Sequence, residues 1–120
     1  MRYASNSFLW SELACKCGCN NIFIQDEAID KLQKLRDILQ SPVIINSAAR
    51  CPIHNVHVGG APKSQHRATK NSPSTAFDIS LQGLKKHNII SAAKLAGFNG
   101  FGINYNTFVH VDNRDFFAIW

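Results

Sequence analysis

The spacing of apolar residues along the chain predicts two principal helices. Between residues 26 and 40, apolar side chains recur every three or four positions and form one stripe, as in an amphipathic helix; they are Ile29, Leu32, Leu35, Ile38 and Leu39. Asp26 is the predicted N-cap, and Pro42 follows the predicted end. Residues 85–96 show a second stripe, and Gly97 is a natural stop for that helix.

Shorter apolar runs predict the strands of one sheet. Residues 43–46 begin with three β-branched apolar residues and are typical of a buried strand, and residues 76–81 alternate as a strand does. Three further strand-like segments follow at 100–103, 107–111 and 116–120, and residues 7–13 predict a short helical turn. Two main helices beside a small, mostly antiparallel sheet make an α+β fold.

Residues 50–75 show no regular spacing of apolar residues and are rich in Gly, Pro, Ser and His. In a compact domain such a stretch is either a functional loop or a disordered one. No repeat or linker divides the chain, and 120 residues is an ordinary size for one domain. We therefore expect a single domain over residues 1–120.

The composition excludes several classes of protein. A chain with 45% hydrophobic and 18% charged residues is neither disordered nor fibrous. No apolar run approaches the ~20 residues of a membrane-spanning helix, and the first residues lack the apolar stretch of a signal peptide. We expect no membrane span and no Sec export.

The formal net charge of +5 has its source between residues 50 and 86. Such an excess favours a polyanionic partner, which leaves nucleic acid, an anionic membrane and an anionic wall polymer open. The basic residues of this segment are not interleaved with aromatic ones, as a stacking platform for nucleic acid requires. We therefore expect no nucleic-acid partner.

Three polar residues point to a metal. Alternation places His110 and Asp112 on one face of a strand, which suits a metal ligand beside a general base, although ordinary polar residues on an exposed strand are the alternative. Asp78 lies between two apolar residues, where an unpaired carboxylate is strongly unfavourable. His66, Asp78 and His110 would together supply the two imidazoles and one carboxylate of a catalytic zinc site, the chemistry of amide hydrolysis at neutral pH.

Several motifs in a fixed order make the sequence similar to a known family. They are SAARCPIHN at 47–55, VGGAP at 58–62, SQH at 64–66, AFDI at 76–79 and FVHVD at 108–112, with ELACKCGC at 12–19 similar to the start of many members. Together they resemble the zinc D,D-peptidases of the M15 family, which holds D-alanyl-D-alanine carboxypeptidases and phage endolysins. The resemblance covers nearly the whole chain. It implies a hedgehog/DD-peptidase fold and hydrolysis of a peptide bond in the peptidoglycan stem, next to a D-amino acid.

The resemblance also implies roles for individual residues. The zinc ligands would be His66, Asp78 and His110. Arg50 would hold the substrate carboxylate or the developing oxyanion, a role suited to its fixed charge and forked donors. Ser64 and His54 are the further candidates for substrate binding, with an acid role or packing of the loop as the alternatives for His54.

The general base departs from the family pattern. Some members carry a Glu three residues before the last ligand, and others a His two residues before it; here these positions are Thr107 and Phe108. Asp112 is the remaining nearby carboxylate and is our predicted base. His57 and His87 match no role in the pattern and are expected at the surface.

A second departure separates the first two ligands. Eleven residues lie between His66 and Asp78, more than is usual in the family, and Ser74 replaces a glycine. A loop that bulges outward would leave the ligands in place, since loop lengthening is unfavourable by only about 0.6 kcal/mol per doubling. A degraded site is the alternative. The second candidate function is accordingly a non-catalytic, metal-containing module that binds the wall or belongs to a phage particle.

The chain has four cysteines, at positions 15, 17, 19 and 51. Free thiols, a structural metal held by four thiolates and disulfides all remain open, and the C-x-C-x-C spacing is tighter than that of usual zinc sites. Without an export signal, reduced thiols or a metal are favoured over disulfides.

We therefore expect a monomer with Zn²⁺ as its cofactor and peptidoglycan as its partner. We expect the protein to be made in the cytoplasm and to act on the cell wall after release or as part of a phage particle. With no separate wall-binding domain expected, its own basic surface would provide the targeting.

Overall fold

A five-stranded sheet carries the candidate site. The structure is a computed structural model that describes residues 2–120. In chain order its elements are β1 (Tyr3–Ser5), β2 (Phe8–Leu9), α1 (Trp10–Leu13), α2 (Asp26–Leu39), β3 (Ile45–Ser47), α3 (Pro52–His57), β4 (Ala76–Ser80), α4 (Lys86–Ala96), β5 (Gly100–Gly102), β6 (Phe108–Asp112) and β7 (Ala118–Ile119). The predicted α+β class with a mostly antiparallel sheet is confirmed.

The strand order places β4 and β6 at the centre of the sheet. The order is β3-β4-β6-β5-β7, and all neighbours are antiparallel except β5 and β7, which run parallel. In the β4–β6 pair, Asp78 lies directly opposite His110. The two remaining strands, β1 and β2, form a separate hairpin.

The core lies against one face of this sheet. Phe77 and Ile79 of β4 and Val109 and Val111 of β6 are fully buried and belong to one apolar cluster with the inward side chains of α2 and α4. Because successive side chains of a strand point to opposite faces, Asp78, His110 and Asp112 then project from the other face. The predicted alternation along both strands is therefore confirmed, and it separates the core from the candidate site.

The two main helices match their predictions, with differences at the edges. Gly97 ends α4 in the left-handed region, with φ of +102°. The N-cap of α2 is Gln25 rather than Asp26, which lies in the first turn, where its charge favours the helix dipole. Ile38 is 40% exposed and leaves the predicted inward stripe of α2, whereas Leu39 is partly buried and packs against the core.

Two local predictions were wrong in part. The helical turn predicted over residues 7–13 begins only at Trp10, because Phe8 and Leu9 pair with β1. The strand predicted over 43–46 is shifted to Ile45–Ser47, and Ile44 is 46% exposed.

Within the described residues, no helix combines the length and the apolar character that crossing a bilayer requires.

The segment 50–75 is ordered by its own helix and by backbone pairing. Helix α3 begins at Pro52, a residue that suits the first turn because its missing N–H needs no partner there. Next to it, the Arg50 N–H donates to the His66 carbonyl at 2.8 Å, and the Ala68 N–H donates to the Arg50 carbonyl at 2.7 Å. This pairing holds Arg50 beside His66, as a functional loop requires.

Leu32→Ala tests the packing of α2 against the core. Leu32 is fully buried, so the substitution should lower the free energy of unfolding by about 2–5 kcal/mol through lost burial and a residual cavity. Chemical denaturation followed by circular dichroism measures the change. Lys34→Ala on the exposed side of the same helix is the control and should change stability by less than about 0.5 kcal/mol; equal effects of the two substitutions would contradict this packing.

Candidate metal centre

Three side chains converge on one point of the sheet face. Asp78 Oδ1 lies 2.9 Å from His66 Nε2 and 3.1 Å from His110 Nδ1. All three side chains are buried, and their candidate ligand atoms lie within 4.8 Å of one another. Asp78 and His110 meet through the β4–β6 register, whereas His66 arrives from the ordered segment that pairs with Arg50. The structure thus brings together the three ligands predicted from the sequence.

Hydrogen bonds on the outer side of each imidazole fix its tautomer. His66 Nδ1 lies 2.7 Å from the Ala48 carbonyl oxygen, which can only accept, so this nitrogen carries the proton. His110 Nε2 lies 2.7 Å from Asp112 Oδ2, again an acceptor. In each neutral imidazole the inner nitrogen then keeps its lone pair, which is the form that a metal ligand needs.

The donor set fits zinc. Two imidazole nitrogens and one carboxylate oxygen are a common zinc ligand set, and three protein ligands leave a fourth position open. Neighbouring ligand atoms of a tetrahedral zinc at its usual bond lengths lie roughly 3.3 Å apart, close to the 2.9 and 3.1 Å separations described above.

Opposing effects set the charge state of the two central groups. Burial acts to raise the pKa of Asp78, but the adjacent imidazoles of His110 and His66, which donate to it and attract its charge when protonated, lower this pKa well below its ordinary value. Burial acts to lower the pKa of His110, but its hydrogen bonds to Asp112 and Asp78 raise it above its ordinary value. The site therefore holds an ionised carboxylate between basic groups.

Asp112 supports His110 and does not line the cleft. It is fully buried, and Arg114 binds it in a fork, with Nε at 2.8 Å from Oδ1 and Nη2 at 2.7 Å from Oδ2. Burial acts to raise its pKa, but hydrogen bonds from Arg114 and His110 lower the pKa of Asp112 to about 2. Gly100 lies opposite it, and a Cβ there would collide with the carboxylate. This geometry does not support the predicted role as general base and favours a positioning role.

Arg50 lies over the other oxygen of the central carboxylate. Its Nη2 is 3.7 Å from Asp78 Oδ2, its Nε donates to Ser47 Oγ at 3.2 Å, and its Nη1 donates to Asn55 Oδ1 at 3.1 Å. These contacts hold the guanidinium at the edge of the metal group. Its fixed charge can bind a carboxylate or an oxyanion there, as the sequence predicted.

The metal group lies in a cleft of about 550 Å³. Three cations, Arg50, Lys63 and Arg114, line it, and Asp78 is the only carboxylate among its described lining residues. Only two of the six basic residues between positions 50 and 86 line the cleft. A separate hollow of about 610 Å³ beside β2 and α1 is lined by no His, Asp or Glu among the described residues.

An aromatic wall forms one side of the cleft. It consists of Tyr105, Phe108 and Trp120. Tyr105 stacks on Phe108 with ring centroids 4.4 Å apart, and Trp120 Nε1 donates to the Tyr105 hydroxyl at 3.1 Å. The Trp120 ring also lies 5.1 Å from the His110 ring and 4.8 Å from the Arg114 guanidinium. The aromatic wall thus connects Trp120 to the candidate ligand His110.

The remaining predicted site residues have different positions. Ser64 lines the cleft, and its Oγ accepts a hydrogen bond from the His66 N–H at 3.1 Å, which fixes the turn before that ligand. His54 lies on α3 and is not a lining residue of the cleft, so a substrate contact is not supported and packing of the segment fits better. His57 and His87 are exposed, as predicted.

The eleven-residue segment between His66 and Asp78 bulges outward. Residues 70–73 are exposed, whereas Ser74 is fully buried and its N–H donates to the Phe23 carbonyl at 2.9 Å. The base of the loop is closed by the Thr75 N–H, which donates to the Gln65 carbonyl at 2.9 Å. The loop therefore does not displace His66 or Asp78.

Sequence reasoning missed Arg114 and Trp120. The Asp112-x-Arg114 spacing, two residues apart after a strand, was the available signal for the forked pair. For Trp120 there was no local signal, because its contact with Arg114 and Tyr105 depends on the parallel pairing of β7 with β5.

A known protein family matches this chain over most of its length. A family model described as Peptidase M15 matches residues 3–112, a range that contains all three candidate ligands, Arg50 and Asp112. A comparison with curated protein sequences finds no match. Because the family model covers more than nine-tenths of the sequence, the chain belongs to the M15 peptidase family.

Proposed function

We propose that this protein is a zinc-dependent peptidase that hydrolyses a peptide bond of the peptidoglycan stem, next to a D-amino acid. The observation that carries the proposal is the convergence of His66, Asp78 and His110 at a cleft lined by cations and an aromatic wall. Membership of the M15 peptidase family supports peptide hydrolysis. Both carboxypeptidase and endopeptidase action fit the proposal.

His66, Asp78 and His110 would hold the zinc through their inner ligand atoms. Zinc bound there supplies a Lewis acid that polarises a carbonyl and lowers the pKa of water toward ~7. Ala48 and Asp112 keep the two imidazoles in the tautomer and orientation that ligation requires. Arg114, which lines the cleft, binds Asp112 in turn and so helps to position His110.

Arg50 is proposed to bind the anionic part of the substrate. Its guanidinium is fixed by Ser47 and Asn55 beside the metal group, so it loses little freedom when it binds a carboxylate or a developing oxyanion. Lys63 and Arg114 add positive charge to the same cleft. This positive charge suits stem peptides, which carry carboxylates. We propose that it also attracts the anionic bacterial cell wall.

We further propose that the protein acts on the wall after its release from the producing cell or as part of a phage particle. The basic surface between residues 50 and 86 would then provide attraction to the wall.

A second candidate function rests on one specific observation. Among the described residues that line the cleft, Asp78 is the only carboxylate, and it is assigned to the metal. A module that binds peptidoglycan without cleaving it needs no separate base. Tight binding to purified sacculi without soluble product, unchanged by a chelator, would favour this function over hydrolysis.

Substitution of the proposed ligands tests the metal centre. His66→Ala and Asp78→Ala should each lower the zinc bound per chain by about one ion, because a three-ligand site does not survive the loss of one ligand. Elemental analysis of dialysed protein measures the change, and release of free amines from sacculi measures activity. His87→Ala, an exposed histidine on α4, is the control. Full activity of Asp78→Ala would contradict the ligand set.

Asp112→Asn distinguishes positioning from base catalysis. If Asp112 orients His110, its replacement should weaken zinc affinity by about 10–100-fold. Arg114→Gln removes the forked hydrogen bonds but leaves the carboxylate of Asp112, so it should weaken zinc affinity by a smaller factor. Competition with a zinc chelator dye measures both, and thermal unfolding checks that the variants fold. Unchanged zinc affinity with a large fall in kcat would instead establish Asp112 as the base.

Arg50→Gln tests the substrate contact. Loss of the guanidinium should lower kcat/KM on muropeptides by about 10²–10³-fold with zinc content retained, as for the loss of one oxyanion donor. Lys70→Gln removes a cation from the exposed loop and is the matched control. Equal activity of the two variants would show that Arg50 has no role in binding substrate.

A further inference from the structure

A second group of metal-ligating side chains lies away from the cleft. The thiols of Cys15, Cys17, Cys19 and Cys51 have their sulfur atoms within 4.8 Å of one another, and all four are free. Three of them occupy the turn between α1 and α2, and the fourth directly precedes α3. Neither the proposed hydrolysis nor the cleft uses any of these residues.

The separations of the sulfur atoms match a tetrathiolate site. Cys15 Sγ and Cys17 Sγ are 3.4 Å apart, and Cys17 Sγ and Cys51 Sγ are 3.7 Å apart. In a tetrahedral zinc site with Zn–S bonds of ~2.3 Å, the sulfur atoms lie roughly 3.8 Å apart. A disulfide would instead need ~2.05 Å between one pair. The observed spacing is therefore close to that of ligands around one ion and too long for a disulfide.

The backbone explains how so tight a cysteine spacing can converge. Gly18 has a φ of +90°, a left-handed conformation that other residues rarely adopt, and its N–H approaches the Cys15 carbonyl at 3.4 Å. The Cys15 N–H donates to the Asn21 carbonyl at 2.9 Å and closes the turn. The chain thus reverses within residues 15–21, which lets alternate side chains meet on one side.

Backbone N–H groups also point at two of the sulfur atoms. The Cys51 N–H donates to Cys15 Sγ at 3.4 Å, and the His54 N–H donates to Cys51 Sγ at 3.3 Å. Hydrogen bonds of this kind orient and stabilise thiolates that bind a metal. They also connect the turn at residues 15–19 to the first turn of α3.

We infer that Cys15, Cys17, Cys19 and Cys51 bind a structural Zn²⁺, separate from the ion proposed for the cleft. Four thiols lose four protons when they bind Zn²⁺, which leaves a tetrathiolate complex with two negative charges and no open position. The ion fastens the turn before α2 to the start of α3. Because Arg50 immediately precedes Cys51, the same ion stabilises the position of the guanidinium in the cleft.

Zinc content of the purified chain tests this site. The wild-type chain, prepared with zinc and dialysed, should hold about two ions, and Cys17→Ser/Cys19→Ser should hold about one. Lys16→Ser changes an exposed residue of the same turn without removing a thiol and should keep about two. All three are measured by elemental mass spectrometry.

A second variant separates the two centres. His66→Ala/His110→Ala removes the imidazole ligands and should keep about one ion; Co²⁺ in its place should give sulfur-to-cobalt charge-transfer absorption. If that variant does not fold, the Co²⁺-loaded wild-type chain provides the test instead. Its sulfur-to-cobalt absorption would show thiolate ligation, because a site with only nitrogen and oxygen ligands has no such absorption. The four thiols should become reactive toward a thiol reagent only after a chelator is added.

Three results would overturn the inference. They are an unchanged zinc content in Cys17→Ser/Cys19→Ser, a Co²⁺ spectrum without sulfur charge transfer, and four fully reactive thiols in the zinc-loaded chain. Each would leave the proposed peptidase function in place. Conversely, a chain that holds zinc at its cysteines but does not cleave sacculi would overturn that function alone.

Discussion

The buried carboxylate of Asp78 is the constraint on which the site depends. An ionised carboxylate removed from water is strongly unfavourable unless it is paired and hydrogen-bonded. Here His66 and His110 approach one oxygen and Arg50 lies near the other. Each partner arrives from a different part of the fold, so this one charge links β6, the segment before β4 and the residue just before α3. The same arrangement provides two imidazoles and a carboxylate for zinc.

A series of contacts extends from the candidate ligand His110 to Trp120. His110 is held by Asp112, Asp112 by Arg114, and Arg114 lies over the ring of Trp120. The parallel pairing of β7 with β5 places that ring at the cleft. The outermost strand therefore does more than complete the sheet, because it presents an aromatic surface beside the metal ligands.

The parts of this picture that the sequence could predict are those set by short-range periodicity. The amphipathic stripe predicted α2, and alternation predicted that His110 and Asp112 share a face. Alternation does not tell whether a face is open to solvent, and for that reason Asp112 was predicted to be a base although it is fully buried beneath Arg114. Contacts between distant segments could not be predicted, because local sequence patterns carry no information about them. The contact of Cys51 with the turn at residues 15–19 is an example.

We propose that a zinc centre at His66, Asp78 and His110 cleaves peptidoglycan stem peptides. Mass spectrometry of defined muropeptides incubated with the zinc-loaded chain tests this proposal. We expect stem peptides shortened or separated at one bond next to a D-amino acid, with no such product from Asp78→Ala. Muropeptides left intact by a folded chain with zinc at this centre would contradict it.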